Sequence, residues 1–106
     1  MKNDFQNASI KNFECSPFGR PNEPGVYAVL IRNYSSESGE SHIIYIGSSK
    51  NIRKRVDVGR GHYYRKVYER FPDKIVFVKF FVTDNYKNIE KYMIKKYKPT
   101  LNKRGL

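Results

Sequence analysis

A chain of 106 residues with 39% apolar content and one cysteine can build one packed core, and it is too poor in cysteine for a disulfide framework. No apolar run approaches the ~20 residues of a membrane span, and MKNDFQNASIKNFE lacks the hydrophobic stretch of a secretory signal, so a soluble, intracellular protein without membrane association is expected. The formal charge of +11, from 21 Lys and Arg against 10 Asp and Glu, calls for a polyanionic partner, with nucleic acid ahead of an anionic lipid surface.

Residues 1–23 show no sustained period and end in SPFGRPNEPG, whose prolines and glycines mark irregular chain. They read as an N-terminal arm or lead-in to a single domain over 24–106. GVYAVLIRNY then alternates as a strand, with Tyr27, Val29 and Ile31 on one face and Val26, Ala28 and Leu30 on the other. After the polar SSESGE, strand character resumes in SHIIYIGS. A hairpin turning near Ser35 to Glu37 would bring Tyr27 and Tyr45 together at one end of the sheet.

Ser48, Ser49 or Asn51 can cap a helix starting near Ile52, whose apolar side is Ile52 and Val56, with Arg55 leaning the same way. Gly59 and Gly61 interrupt it, and HYYRKVYERF resumes a helical pattern through Tyr64, Val67, Tyr68 and Phe71 until Pro72. Aromatic residues alternate with the charges here, and Lys50, Arg53, Lys54, Arg60, Arg65 and Lys66 read as a phosphate-facing patch. IVFVKFFV has the composition of a strand covered on both faces and is expected at the centre of a three-stranded sheet.

Thr83 or Asp84 could cap the final helix, in which Tyr86, Ile89, Met93, Ile94 and Tyr97 recur at helical spacing until Pro99. Glu90 falls on that apolar face. A carboxylate there needs a cation, a metal or a hydrogen-bonded partner, since burying it bare costs several kcal/mol. Cys15, His42 and His62 lack the compact spacing of a zinc site.

Gly25-Val26-Tyr27, Tyr45-Ile46-Gly47, Asn51-Ile52, Arg55, Glu90 and the closing Pro99-Thr100-Leu101-Asn102 occur in the order and spacing of one known pattern. On these residues the chain resembles the GIY-YIG nuclease family over about residues 24 to 104, with Val26 where isoleucine is usual. The resemblance implies a mixed α+β module, a three-stranded antiparallel β-sheet flanked by helices. It also implies an endonuclease that hydrolyses phosphodiester bonds with one divalent ion, Mg²⁺ or Mn²⁺. Gly59 stands where many members carry histidine, and His62 is the nearest candidate, either taking that place after a shift at Gly59 and Gly61 or contacting phosphate. Ser48 stands where other members carry lysine.

Under that resemblance Glu90 is the metal ligand, and its single carboxylate leaves most of the shell to waters and substrate oxygens. Tyr27 is the candidate general base and Tyr45 a second proton relay or a water-positioning group. Each has an ordinary pKa near 10 and needs a neighbouring cation or the field of the metal to act as phenolate. Arg55 offers a planar fork to phosphate oxygens. Asn102 ties down the C-terminal segment or touches phosphate. DNA is the expected partner, charge does not separate it from RNA, and target choice would come from DNA shape, a homodimer or a separate targeting partner. A non-catalytic nucleic-acid-binding module on the same scaffold is the alternative.

Overall fold

The computed structural model describes residues 5–15, 21–34, 41–55, 67 and 69–102. Strands β1 (Gly25–Arg32), β2 (His42–Ser49) and β3 (Ile75–Val82) form one antiparallel sheet in the order β2-β1-β3. Helix α1 (Tyr86–Tyr97) follows β3, and a 3-10 turn, Thr100–Asn102, follows α1. This is the expected mixed α+β arrangement. Among the described residues no helix is long and apolar enough to cross a membrane.

The period-two reading of β1 holds on both sides of the sheet. Tyr27, Val29 and Ile31 pack with Ile44, Tyr45, Ile52, Val67, Val78, Phe80 and Leu101. On the opposite face, Val26, Ala28, Leu30 and Ile46 pack with Ala8, Phe13, Ile89 and Met93. The pairing runs Val29 with Tyr45 and then Leu30 with Ile43, so Ile44 is an extra residue in β2. This bulge turns Ile44 and Tyr45 toward the same side.

The expected central place of IVFVKFFV is corrected: β1 is the central strand and β3 lies at an edge. The composition reported two covered faces, and that much is true, because β3 contributes Val78 and Phe80 to one core cluster and Phe77 and Phe81 to the other. Its outer side is partly closed by the N-terminal segment. Glu14 and Phe80 exchange backbone hydrogen bonds of 2.8 and 2.9 Å, and Phe13 stacks on Phe81 with centroids 5.4 Å apart.

The start of α1 is a second correction. Asn85 is the N-cap residue, without a side-chain cap bond, while the Thr83 hydroxyl accepts the Asn85 N–H at 3.1 Å. Thr83 thus closes a turn just before the helix instead of capping it. At the other end Lys98 takes the left-handed conformation, φ 48°, and donates its N–H to the Ile94 carbonyl at 2.8 Å. Pro99 ends the helix there. The chain then crosses the outer edge of β2, from the α1 face to the face that buries Leu101.

Candidate active site

The β1–β2 register sets Tyr27 opposite Gly47 and Val29 opposite Tyr45. The two tyrosines are therefore diagonal neighbours on one face, with ring centroids 6.2 Å apart and planes inclined at 43°. Both are buried. Their closeness depends on Gly47. A Cβ at that position would lie 2.5 Å from the Tyr27 hydroxyl oxygen, 2.6 Å from its ring Cζ and 3.0 Å from Tyr45 Cε2. The glycine that closes one tripeptide is the floor on which the tyrosine of the other lies. Gly25 has a matching constraint, since a Cβ there would collide with the Phe81 carbonyl oxygen and lie 2.6 Å from Ile52 Cδ1.

Arg55 reaches the pair from the segment after β2. The Asn51 side-chain oxygen accepts the Lys54 N–H at 3.0 Å, and the Asn51 carbonyl accepts the Arg55 N–H at 3.2 Å, which turns the chain as a capped helix start does. Ile52 is wholly buried, and its N–H bonds to the Glu23 carbonyl at 2.9 Å. This anchor carries the exposed Arg55 to Tyr27, where Nε donates to the hydroxyl oxygen at 3.4 Å.

The surroundings of Tyr27 pull its acidity both ways. Burial pushes the hydroxyl above its ordinary value of 10.0; Arg55, through its hydrogen bond and its charge, and a Tyr45 hydrogen bond oppose this, while the Glu90 carboxylate pushes the same way as burial. Burial prevails, so the phenol is neutral at neutral pH. Glu90 therefore lies close enough for its charge to act on Tyr27.

It does so from the other face of the sheet. Helix α1 buries Ile89 and Met93 against Val26, Ala28 and Ile46, and Glu90 sits half-buried at the margin of that apolar stripe. There the Ser48 hydroxyl donates to Glu90 Oε1 at 2.6 Å. Ser48 follows Gly47, so the two partners mark where both faces meet at β2. Ser48 had no place among the candidate site residues. The available signal was alternation, which aims the residue after Gly47 at the α1 side.

Asn102 closes the same edge. Its side-chain oxygen accepts the Ile46 N–H at 2.8 Å and its amide donates to the Ile46 carbonyl at 3.0 Å, so it pairs with β2 as another strand would. Both ends of its amide are engaged on backbone. Lys50, Arg53 and Lys54 are exposed around the turn that carries Arg55. Arg60, His62, Arg65 and Lys66 lie outside the described residues, as do Val56 and the Ser35 to Glu37 turn.

Among the described residues no three His, Cys, Asp or Glu side chains cluster as a metal cage. Glu90 alone fits a different donor set. Mg²⁺ and Mn²⁺ favour oxygen, and Mg²⁺ usually keeps several waters and takes one or two carboxylates plus substrate phosphate.

The model of the GIY-YIG catalytic domain matches residues 24–104. The chain belongs to the GIY-YIG family. It is 35% identical over 88 residues to UvrABC system protein C of Mycoplasma capricolum, a match covering 76% of this chain and 13% of that protein. The protein of the same name from Methanococcus maripaludis is 35% identical over 89 residues, covering 77% of this chain and 15% of that protein. The chain thus spans only a small part of the length of these curated relatives.

The crystal structure of the GIY-YIG N-terminal endonuclease domain of UvrC from Thermotoga maritima, bound to its catalytic divalent cation magnesium, is similar with a TM-score of 0.51 and 26% identity. That match covers 96% of this chain and 99% of the other. Family and fold together place this GIY-YIG domain in the nuclease class, acting on nucleic acid.

Proposed function

We propose that the domain is a DNA endonuclease that hydrolyses phosphodiester bonds with one Mg²⁺ or Mn²⁺ ion held by Glu90. The observation that carries this reading is the meeting of groups from four parts of the chain at one edge of the sheet. Arg55 contacts the Tyr27 hydroxyl, Tyr45 lies beside it, and the charge of the Ser48-held Glu90 acts on it. When bound, the ion supplies charge stabilisation at the phosphoryl and leaving oxygens.

Arg55 presents its exposed guanidinium to a phosphate and steadies the negative charge that grows on it. Tyr27 accepts the proton of the attacking water. It can do so only as phenolate, a form that the Arg55 and Tyr45 hydrogen bonds favour and burial disfavours. Neutralising Glu90 would remove one of the two upward influences on its pKa. Tyr45 passes the proton on. Asn102 is a positioning residue: it holds β2 at Ile46, between Tyr45 and Gly47. Lys50, Arg53 and Lys54 contact flanking phosphates, joined in this reading by Arg60, Arg65 and Lys66, and His62 assists proton transfer or binds phosphate. Target choice comes from DNA shape, a homodimer or a targeting partner.

The test is incubation of highly purified protein with duplex, nicked, flapped and branched DNA in Mg²⁺ or Mn²⁺. Strand scission is expected, and it should vanish in Glu90→Ala and Arg55→Ala variants whose circular dichroism matches wild type. No scission of any substrate, with salt-dependent binding equal in wild type and Glu90→Ala, would instead establish a non-catalytic binding module. Competition between matched DNA and RNA decides the nucleic acid.

A further inference from the structure

The lysines of α1 divide into two groups. Lys96 lies over the rings of Tyr92 and Tyr97, 5.7 and 5.3 Å from their centroids, and Tyr92 meets Phe5 edge-on at 5.4 Å. That flank of the helix faces the N-terminal segment. Lys87, Lys91 and Lys95 are exposed and four residues apart, which sets them in one column elsewhere on the helix. No carboxylate among the described residues pairs with any of the three.

Like charges at this spacing repel, so the column weakens the free helix and is relieved by a polyanion laid along it. Its position is informative as well. Lys87 lies one turn before Glu90 and Lys91 directly after it, so the column starts beside the carboxylate and runs toward the C-terminal end of α1. The exposed basic residues Lys50, Arg53 and Lys54 follow directly on β2, the strand that meets Glu90 through Ser48. An anionic bilayer would require a continuous exposed apolar face beside the cations, whereas Ile89 and Met93 of α1 are wholly buried and the exposed rings beside the column, Tyr92 and Phe5, meet each other edge-on.

We propose that Lys87, Lys91 and Lys95 form a phosphate track that carries one DNA strand along α1, away from Glu90. The proposal rests on the nuclease reading for the identity of the polyanion. The three lysines span about 12 Å of helix axis, the rise of about four nucleotides at ~3.4 Å each. A substrate must therefore extend about four nucleotides past the cleaved bond on one side to use the whole track.

The experiment measures binding of fluorescent DNA without divalent ion across a salt series, for wild type and for a triple variant carrying Lys87→Gln, Lys91→Gln and Lys95→Gln. Glutamine keeps helix propensity, and circular dichroism verifies the fold. Losing three phosphate contacts should lower the slope of log K against log salt by roughly two to three, with at least about tenfold weaker binding at low salt. A charge-matched control carries Lys11→Gln, Arg32→Gln and Lys74→Gln and should retain nearly the full slope. DNA shortened by about four nucleotides on one side of the cut should bind wild type more weakly and the triple variant no more weakly than full-length DNA.

Equal slopes in wild type and the triple variant, or an equal fall in the control, overturn the track while leaving cleavage by wild type intact. Failure of the nuclease reading looks different. Wild type would bind and cut nothing, yet the triple variant would still lose its slope, which keeps the track and removes the catalysis.

Discussion

The two faces of the sheet hold their functional groups in different ways. On one, Tyr27 and Tyr45 are buried in a contiguous core, pressed against Gly47 and backed by Ile52 and Leu101. On the other, Glu90 sits half-buried at the rim of α1 and meets β2 through the Ser48 hydroxyl. Groups fixed by packing tolerate almost no change in shape, whereas a group held by a hydrogen bond can be loosened by deleting one atom. Substitutions on the tyrosine face should therefore disturb geometry and stability together, and those on the carboxylate face should change activity alone.

The largest effect is expected at Tyr27. Tyr27→Phe removes the proposed proton acceptor and should slow cleavage by roughly 10²–10⁴-fold. The pH profile sharpens the assignment. Burial raises this phenol above 10.0, so the phenolate fraction climbs about tenfold per pH unit through the neutral range, and log rate should rise with a slope near one up to about pH 9. A slope that persists in Tyr27→Phe would move the base elsewhere. Stability has the opposite sense. A folded-state pKa above the unfolded value favours folding below pH 10.0, and that contribution is lost as pH rises through the folded value.

Gly47→Ala comes next, and it tests packing without removing any reacting group. The added methyl meets the Tyr27 ring and Tyr45 Cε2, so the phenols must shift. We expect about 1–3 kcal/mol of destabilisation, and a fall in rate on the order of 100-fold as the hydroxyl moves from Arg55. Thermal melting and single-turnover cleavage measure the two. Unchanged cleavage would show that the closeness of the two tyrosines is not needed.

How much of this was readable beforehand follows from what each residue reports locally. Alternation in GVYAVLIR assigned β1 its two faces correctly, and Tyr27 and Tyr45 were expected together because a hairpin dictates it. Periodicity put Glu90 on α1, although at the margin of the apolar stripe, because a residue between Ile89 and Met93 can still reach the sheet's edge. Strand order is not legible in IVFVKFFV, since an apolar run reports that both faces are covered and says nothing of lateral neighbours. The contact of Ser48 with Glu90 is not legible in the sequence, where Ser48 reads only as a cap candidate, because serine carries no strong signal and its partner lies 42 residues away.

Asn102 compares the two faces from the edge they share. Asn102→Ala leaves the Ile46 N–H and carbonyl without their side-chain partner, at a cost of about 1–3 kcal/mol. Denaturant unfolding should show that loss with little change in slope. Cleavage below the new melting range should fall only a few fold if Asn102 acts through β2. A loss as deep as that of Glu90→Ala would instead make it a substrate contact.

The smallest effect on stability is expected at Ser48, and it isolates the carboxylate face. The Ser48 hydroxyl gives Glu90 Oε1 a short hydrogen bond to an ionised acceptor, the kind that fixes orientation as well as adding energy. Removing it in Ser48→Ala leaves a half-buried carboxylate still reached by water, so stability should change by less than about 1 kcal/mol. The carboxylate would then sample more orientations, and a metal ligand that must be reoriented binds its ion less tightly. Loss of such an outer partner typically costs about 10- to 100-fold in affinity or activity. At this partly solvated site we expect the low end, about tenfold in the Mn²⁺ concentration needed for half-maximal cleavage, with the saturated rate nearly preserved. Restoration by Ser48→Thr would assign the effect to the hydroxyl. An unchanged Mn²⁺ requirement in Ser48→Ala would mean that α1 alone orients Glu90, and the contrast between a packed face and a hydrogen-bonded one would fall.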